Sequence, residues 1–420
     1  MKNAIIFYSL STAINKGSIL LFFPLLTQFL TLEDFGKWSL VIVVSNLLIP
    51  IISLNGSAGI LREGSSNLKI GFFLFKKYIY ISGVICTAIC LFIFYYGSDN
   101  WIYYSILISC AEGILILSLT YIRTEEKASL YFLISLFKTI ALLIMILYVK
   151  HHSLSLNTLL LYHFLVVTIF ALSITLFLLI RYKDNILQVK FIPMFVFSIM
   201  LIPHSLSQWI MSSSDRIILE YMLGSINVGI YSLAYNMALI LMLVNSGIAL
   251  ALPTFMIKNF KNWKRKKYDN KAIAYYTIVS IILFIVVILI YLIDLKYSRI
   301  LGYYGKEMLP LIFLIYTSIY ILGLYYFYAN YLFYYKKAGI ISKTTFKAAI
   351  LNVILTIIFI YIIGVMGAAI ATFISYIYYL YTIRYEALKI DSTINIKLFG
   401  NIIFFFISSL IIYYLGASFE

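Results

Sequence analysis

Gly229-Ile230-Tyr231-Ser232-Leu233 is the stretch from which the fold can be worked out. Gly36-Lys37-Trp38-Ser39-Leu40 has the same pattern earlier in the chain: a glycine, any residue, an aromatic residue and then Ser-Leu. Each copy follows a polar turn and opens an apolar run of about twenty residues, the length that crosses the hydrocarbon core of a bilayer. The apolar runs around the two copies correspond in order, as in membrane proteins built from internal repeats. The sequence therefore predicts one membrane-spanning unit used twice.

Composition assigns the chain to the integral membrane proteins. Of its 420 residues, 63% are hydrophobic and only 11% are charged, which leaves too little polar surface for a water-soluble fold. Cys86, Cys90 and Cys110 all lie inside apolar runs. We interpret them as small buried residues, and we predict neither a disulfide framework nor a metal site, and no cofactor.

Thirteen apolar runs are long enough for transmembrane helices, or twelve if the last one does not cross the membrane. The predicted fold class is an all-α membrane protein with about 12–13 transmembrane helices in two six-helix lobes, related by a parallel pseudo-repeat around a central cavity. The lobes are residues 1–185 and 186–390, and residues 391–420 would add an extra C-terminal helix. A tight helical hairpin is predicted at Gly364-Val365-Met366-Gly367. The runs are 4–30, 38–60, 74–96, 101–122, 129–149, 158–180, 192–213, 226–256, 271–293, 308–333, 346–363, 366–386 and 398–415.

The distribution of Lys and Arg predicts the orientation, because positively charged loops resist translocation. With the N-terminus in the cytoplasm, the cytoplasmic segments carry 24 of these residues, and the opposite side carries six. The net charge of +16 is then a positive-inside signature, with the cluster at residues 261–267 expected to meet anionic lipid headgroups rather than nucleic acid. The six on the opposite side are Lys37, Lys150, Arg216, Lys296, Arg299 and Lys306.

Ionisable side chains at membrane depth need a partner or a hydrated cavity. Glu112 and Lys138 lie midway along two consecutive runs, so they are expected to form an ion pair, either structural or lining the cavity. Lys16 lies midway along the first run without an assigned carboxylate partner, and it is our candidate for binding an anion. Thr12 and Asn15 near it on the same helix indicate a water-facing side, and snorkelling of Lys16 to the interface is the alternative.

The seventh run carries a stripe of polar residues at spacings of four, four and three, which places them along one helix face. We expect this stripe, with Asn236 of the next helix, to line an aqueous cavity; interhelical hydrogen bonding is the alternative. The stripe consists of His204, Gln208, Ser212 and Asp215.

Prolines occupy corresponding places in the two halves. Pro24 and Pro203 interrupt the first helix of each half, and Pro50 and Pro253 interrupt the second. Proline bends a membrane helix, so these four residues predict the moving, substrate-lining helices. Six tyrosines between Tyr325 and Tyr335 crowd the end of the tenth run. They favour an interfacial aromatic belt over a surface that stacks on sugars.

Several motifs together resemble a known family. Phe23-Pro24-Leu25-Leu26 and Glu33-Asp34-Phe35-Gly36 resemble the opening of the polysaccharide flippases of the multidrug/oligosaccharidyl-lipid/polysaccharide exporter superfamily. The segment from Asp215 to Tyr235 is similar to that family's start of the second lobe, and Gly364 to Ala371 is similar to its twelfth helix.

The resemblance implies a function in the bacterial inner membrane. It implies that the chain flips an undecaprenyl-diphosphate-linked oligosaccharide, such as an O-antigen repeat unit, outward by alternating access, alongside polysaccharide polymerase machinery. Lys16 would suit the anionic diphosphate. The alternatives are a drug/cation antiporter, which needs an anionic cavity, and a peptidoglycan-precursor flippase. A membrane glycosyl-lipid polymerase or ligase would need a large external loop. No phosphate-cradling Gly-x-x-x-x-Gly-Lys motif or hydrolase motif occurs, so we predict a transporter rather than an enzyme.

Overall fold

The computed structural model describes residues 2–96, 100–181, 191–258, 260, 268–297, 308–394 and 396–418, and these residues form helices and turns without strands. Twelve spans among them are long and apolar enough to cross a membrane. The first helix is a further candidate, since it is 25 residues long. The prediction of an all-α membrane protein with 12–13 spans is confirmed. The helices are α1 (Lys2–Leu26), α2 (Leu32–Ile52), α3 (Gly56–Gly64), α4 (Leu68–Tyr96), α5 (Asn100–Thr124), α6 (Ala128–His151), α7 (Leu156–Arg181), α8 (Phe191–Met200), α9 (Ile202–Leu223), α10 (Ser225–Lys258), α11 (Tyr268–Tyr297), α12 (Met308–Tyr334), α13 (Ala338–Ile363), α14 (Val365–Ile390) and α15 (Leu398–Ala417).

Two of the predicted runs are each divided between two helices. The run at 38–60 contains most of α2 and the first five residues of α3, because Leu54 and Asn55 adopt positive φ values of 53° and 49° between them. The run at 192–213 contains α8 and the start of α9, with the break at Leu201. Pro203 lies in the first turn of α9, where its missing N–H costs no helical hydrogen bond. Hydropathy alone shows neither break, because Leu54 and Leu201 are apolar and Asn55 is a single polar residue within a run.

The predicted hairpin at residues 364–367 is confirmed by the pair α13 and α14. Gly364 links them with a φ of 62°, a conformation that favours glycine. At Gly367 a Cβ atom would lie 2.1 Å from the carbonyl oxygen of Phe359, so only glycine allows the two backbones to approach this closely. Two glycines three residues apart thus set both the turn and the packing of the hairpin.

The chain divides into two compact units, residues 1–209 and 210–420. The division falls inside α9, beyond the lobe boundary at 185 that the sequence suggested; that lobe assignment stays a prediction. In the first unit, α5 is the central helix, packed against α2, α4 and α7. Its Leu117 and Tyr121 lie in a core cluster with Phe75 and Tyr78 of α4. The hydroxyl of Tyr78 donates to the Ser198 hydroxyl at 2.8 Å, which ties α8 to the first unit.

The central helix of the second unit is α12, which packs against α10 and α14. In its most apolar 18-residue segment, 78% of the residues are buried. Three of the six tyrosines at its end do not fit the expected interfacial belt, because they are buried inside the unit. Tyr325, Tyr328 and Tyr331 are 6%, 1% and 2% exposed, and the Tyr331 hydroxyl donates to Asp269 at 2.5 Å. A buried phenol is tolerated when its hydroxyl finds a partner, and the rings here fill the interior of the unit.

The last helix, α15, belongs to the second unit and packs mainly on α11. The ring of Phe405 stacks on Tyr320 of α12 at 3.6 Å between centroids, with the two planes 9° apart. Tyr320 is itself stacked on Tyr276 of α11 with the planes 2° apart. A continuous aromatic stack therefore holds the thirteenth predicted run in place.

Candidate functional site

The first unit contains a buried ion pair between consecutive helices. Lys138 Nζ of α6 lies 2.9 Å from Glu112 Oε1 of α5, and the two side chains are only 16% and 18% exposed. Both residues lie near the middle of their helices. At this depth an isolated charge would cost several kcal/mol, so the contact neutralises two side chains that neither lipid nor an apolar core would solvate.

His163 adds a third ionisable group to this pair, and the sequence reasoning did not identify it. The residue lies on α7, and its imidazole interacts electrostatically with both Glu112 and Lys138. α5 and α7 pack along their lengths, so these three consecutive spans bring an acid, a base and an imidazole together inside one unit. The sequence signal was a histidine in a predominantly apolar helix, which by itself predicts no partner.

The polar face of α1 contacts α6. Asn15 Nδ2 donates to the Ser135 hydroxyl at 3.2 Å, while Asn15 Oδ1 is buried and accepts no hydrogen bond from the described residues. This free acceptor is suited to water or a polar ligand, because a buried amide oxygen is rarely left unpaired. The side chains of Thr12 and Lys16, which the sequence placed beside it, lie outside the part of the structure that is described.

The polar stripe of α9 does not have a uniform environment. Gln208 is exposed, His204 and Ser212 are half-buried, and Asp215 is 2% exposed. Next to the stripe, Trp209 Nε1 donates to the carbonyl oxygen of Val43 in α2 at 2.9 Å, which holds the first part of α9 in the first unit. The environment of the stripe therefore changes from accessible to enclosed along the helix.

Asp215 lies at a buried polar junction in the second unit. Its Oδ2 accepts a 2.5 Å hydrogen bond from the Tyr231 hydroxyl of α10, and its Oδ1 accepts from the backbone N–H of Arg216 at 2.9 Å. The guanidinium carbon of Arg216 lies 4.1 Å from the ring centroid of Tyr235, a cation–π contact. Asn236, also buried, follows on α10. The stretch at 229–233 that repeats the earlier pattern is thus the segment that anchors α9 to α10.

Arg216 corrects one prediction from the sequence. From the distribution of Lys and Arg, Arg216 was expected on the extracytoplasmic side. It lies within α9 and is only 7% exposed. Its Nε is buried without a hydrogen-bond partner among the described residues. An arginine tolerates this position because its guanidinium is delocalised and packs against aromatic faces. Without Arg216, fewer Lys and Arg residues remain on the extracytoplasmic side, so the positive-inside bias becomes larger and the predicted orientation is unchanged.

The hairpin of α13 and α14 carries a second set of buried polar atoms that the sequence reasoning missed. Both amide atoms of Asn352 and the hydroxyls of Thr356 and Thr372 are buried and make no hydrogen bond with the described residues. Asn352 and Thr356 are four residues apart, so they share one face of α13. This spacing of polar residues within an apolar run is the feature of the sequence that could have identified them. Buried polar atoms of this kind usually find a partner in ordered water or a ligand.

The four prolines all lie within helices or their first turns. Pro24 and Pro50 are inside the last turns of α1 and α2, and Pro253 is inside the last third of α10. Pro203 follows the break between α8 and α9. Their role in helix movement stays a prediction. Among the described residues, no group of three or more His, Cys, Asp or Glu side chains is placed to hold a metal ion.

Comparison with known proteins relates this arrangement of helices to known transporters. The comparison with curated proteins gives no match. Among solved structures, the inward closed conformation of lipid II flippase MurJ is similar, with a TM-score of 0.68, 14% identity and coverage of 99% of this chain and 98% of that chain. An inward-facing multidrug resistance MATE family transporter of the MOP superfamily has a TM-score of 0.65 and 13% identity, covering 93% of this chain and 100% of that chain.

An outward-facing conformation of a MATE family transporter is also similar, with a TM-score of 0.59, 14% identity and coverage of 93% and 96%. At such identities the likeness shows the fold. The family described as "Polysaccharide biosynthesis protein" matches residues 1–256, which is more than half of the chain. The protein therefore belongs to the polysaccharide biosynthesis protein family, with the fold that MurJ and the MATE transporters of the MOP superfamily share.

Proposed function

We propose that this protein flips an undecaprenyl-diphosphate-linked oligosaccharide, such as an O-antigen repeat unit, from the cytoplasmic to the outer leaflet of the bacterial cytoplasmic membrane. The observation that carries the proposal is the family match over residues 1–256. A diphosphate and several sugars must cross about 30 Å of hydrocarbon while the polyprenyl tail stays in lipid. Alternating access between helices, rather than a closed pore, accommodates that tail.

Buried polar groups in both units support this proposal. In the first unit they are the Glu112–Lys138 pair with His163, and the free acceptor of Asn15 on the helix that carries Lys16. In the second unit they are Asp215 with Arg216, and the unpaired polar atoms of Asn352, Thr356 and Thr372. Such groups are costly within a membrane protein unless they meet water or a polar ligand. A sugar head group needs a polar route of this kind.

Deleting the gene tests the proposal when the lipid-linked sugars are assayed by leaflet. The deletion strain should accumulate complete lipid-linked repeat units that an impermeant lectin cannot reach in spheroplasts, and it should lack the surface polysaccharide. The wild-type gene supplied in trans should restore both. Single units that reach the outer leaflet but stay unpolymerised would instead assign the chain to a glycosyl-lipid polymerase, and the flippase proposal would fail.

A peptidoglycan-precursor flippase is the second candidate, favoured by the TM-score of 0.68 with lipid II flippase MurJ. A drug/cation antiporter is the third, favoured by the likeness to the MATE transporters. Expression in a strain depleted of its own lipid II flippase tests the peptidoglycan-precursor candidate, because sustained growth of that strain would support it. Sensitivity of the deletion strain to cationic drugs, with surface polysaccharide intact, would support the antiporter.

A further inference from the structure

The three cysteines come together between α4 and α5. Cys86 and Cys110 are 8% and 7% exposed and belong to one buried cluster with Ile52 of α2. Cys86 and Cys110 pack in the same buried cluster, and both lie within electrostatic range of Cys90. Cys86 and Cys90 are four residues apart, so they share one face of α4. A single thiol on α5 thus faces two thiols on α4.

The surroundings of this thiol cluster are apolar. Leu48, Ile89 and Ile106 pack around it. Gly113, one turn along α5 from Cys110, brings that helix close to α2: a Cβ atom there would lie 3.2 Å from Ile52 Cγ2. Among the described residues, no group of His, Cys, Asp or Glu side chains is placed for a metal ion. The cluster therefore suits chemistry between the sulfur atoms rather than metal binding.

One side of the cluster borders the surface of α4 that an embedding membrane would cover with lipid. Val84, Leu91 and Phe92 are 52%, 69% and 62% exposed, and Cys90 is half-buried beside them. An apolar oxidant dissolved in the bilayer can approach this surface. A charged oxidant cannot, because entry into hydrocarbon carries a large desolvation cost.

We propose that Cys86 and Cys110 form a redox-modification site, oxidised to an intramolecular disulfide by a lipid-soluble quinone. Each thiol loses one hydrogen, the two sulfur atoms form the new bond, and the quinone takes up two electrons and two protons to leave as the quinol. Cys90 serves as the exchange thiol: its sulfur attacks Cys110, the Cys90–Cys110 bond forms as the Cys86–Cys110 bond breaks, and the proton of Cys90 passes to Cys86, which is released as a thiol. The bridge joins α4 to α5 beside Ile52, the last residue of α2.

Thiol counting on the full-length protein in lipid vesicles tests the site. The protein is exposed to a fully substituted alkyl benzoquinone, which cannot alkylate thiols, then denatured and reacted with a maleimide polymer that shifts the gel band once per free thiol. Untreated protein should show three shifts, and quinone-treated protein should show one. Dithiothreitol should restore all three. Oxidised glutathione, which is charged, should leave three.

Serine variants assign the partners. Cys90→Ser should lose both of its remaining thiols on oxidation, whereas Cys110→Ser should keep both, because Cys86 and Cys90 lie on one helix without a partner on α5. If Cys110→Ser does not fold, Cys110→Ala supplies the same comparison. Retention of three thiols in the quinone-treated wild type would overturn the site. Three other results would also overturn the site: oxidation of Cys110→Ser, a loss of thiols that dithiothreitol does not reverse, or a disulfide found only between chains. Equally fast oxidation by oxidised glutathione would overturn the proposal that the oxidant arrives through the lipid.

Discussion

At the scale of single residues, the most consequential contact is that between Glu112 and Lys138. Each side chain is acceptable inside the first unit only because the other lies 2.9 Å away. A buried pair of this kind adds little stability compared with apolar residues, but removing one partner leaves an uncompensated charge. His163 beside the pair does not replace either partner, since its imidazole provides no permanent charge.

Neutralising one member of the pair should therefore destabilise the protein. We expect Glu112→Gln or Lys138→Gln alone to cost about 3–5 kcal/mol and to lower the amount of folded protein in the membrane, and the double variant to recover most of the loss. The measurements are the membrane-fraction level and the thermal unfolding midpoint in detergent. Glu33→Gln is the matched control, because its 2.6 Å pair with Lys37 is exposed and should contribute little. Equal losses in the single and double variants would contradict the role of the pair.

Lys16 is the residue we propose for the lipid diphosphate. Lys16→Ala should abolish the accumulation of substrate in the outer leaflet with the protein level unchanged. Lys16→Arg should keep part of the activity, because the charge remains although its geometry differs. Lectin labelling of intact spheroplasts measures this, with Lys37→Ala as the control since that side chain lies near the beginning of α2. Normal transport by Lys16→Ala would exclude the proposed contact.

At the scale of elements, the hairpin of α13 and α14 depends on a close backbone approach. Gly367 lies against the carbonyl of Phe359, and this rigid backbone cannot move aside as a flexible side chain would. Small residues allow membrane helices to approach closely and gain van der Waals contact. The same hairpin carries the unpaired polar atoms of Asn352 and Thr372, so its packing sets their positions as well.

Gly367→Ala should consequently be strongly destabilising. The new Cβ would lie 2.1 Å from Phe359 O, so the two helices must separate, and we expect a marked fall in the thermal unfolding midpoint of purified protein. Gly400→Ala on α15 is the matched control: nothing lies within 4 Å of its Cβ position, and alanine favours a helix over glycine. A midpoint for Gly367→Ala as high as that of Gly400→Ala would show that the hairpin packs differently.

At the scale of the whole molecule, the charge distribution and the spans make a prediction about topology. With the N-terminus in the cytoplasm, residue 262 faces the cytoplasm and residue 100 faces the outside. Asn100 is the exposed first residue of α5, and Asn262 lies outside the described residues. The extracytoplasmic side then contains residues 97–99, between α4 and α5.

Single cysteines at these two positions, in a background without Cys86, Cys90 and Cys110, test the orientation. An impermeant maleimide applied to intact cells should label Asn100→Cys and leave Asn262→Cys unlabelled, while both should react after the cells are opened. The reaction after opening controls for accessibility. Labelling of Asn262→Cys alone in intact cells would invert the topology and with it the direction of transport that we propose.

The sequence by itself determined the class of protein, eleven of the thirteen runs as single helices, the hairpin, and the positions of Glu112 and Lys138 near the middle of their helices. These properties depend on hydropathy, length and turn residues, which are local. The tertiary structure alone decided that Tyr325, Tyr328 and Tyr331 are buried, that Arg216 packs on Tyr235, and that His163 lies within electrostatic range of the ion pair. The physical reason is that lipid and protein interior are both apolar, so the pattern of a membrane helix gives the depth of each residue but only weakly indicates which face meets lipid and which meets its neighbours.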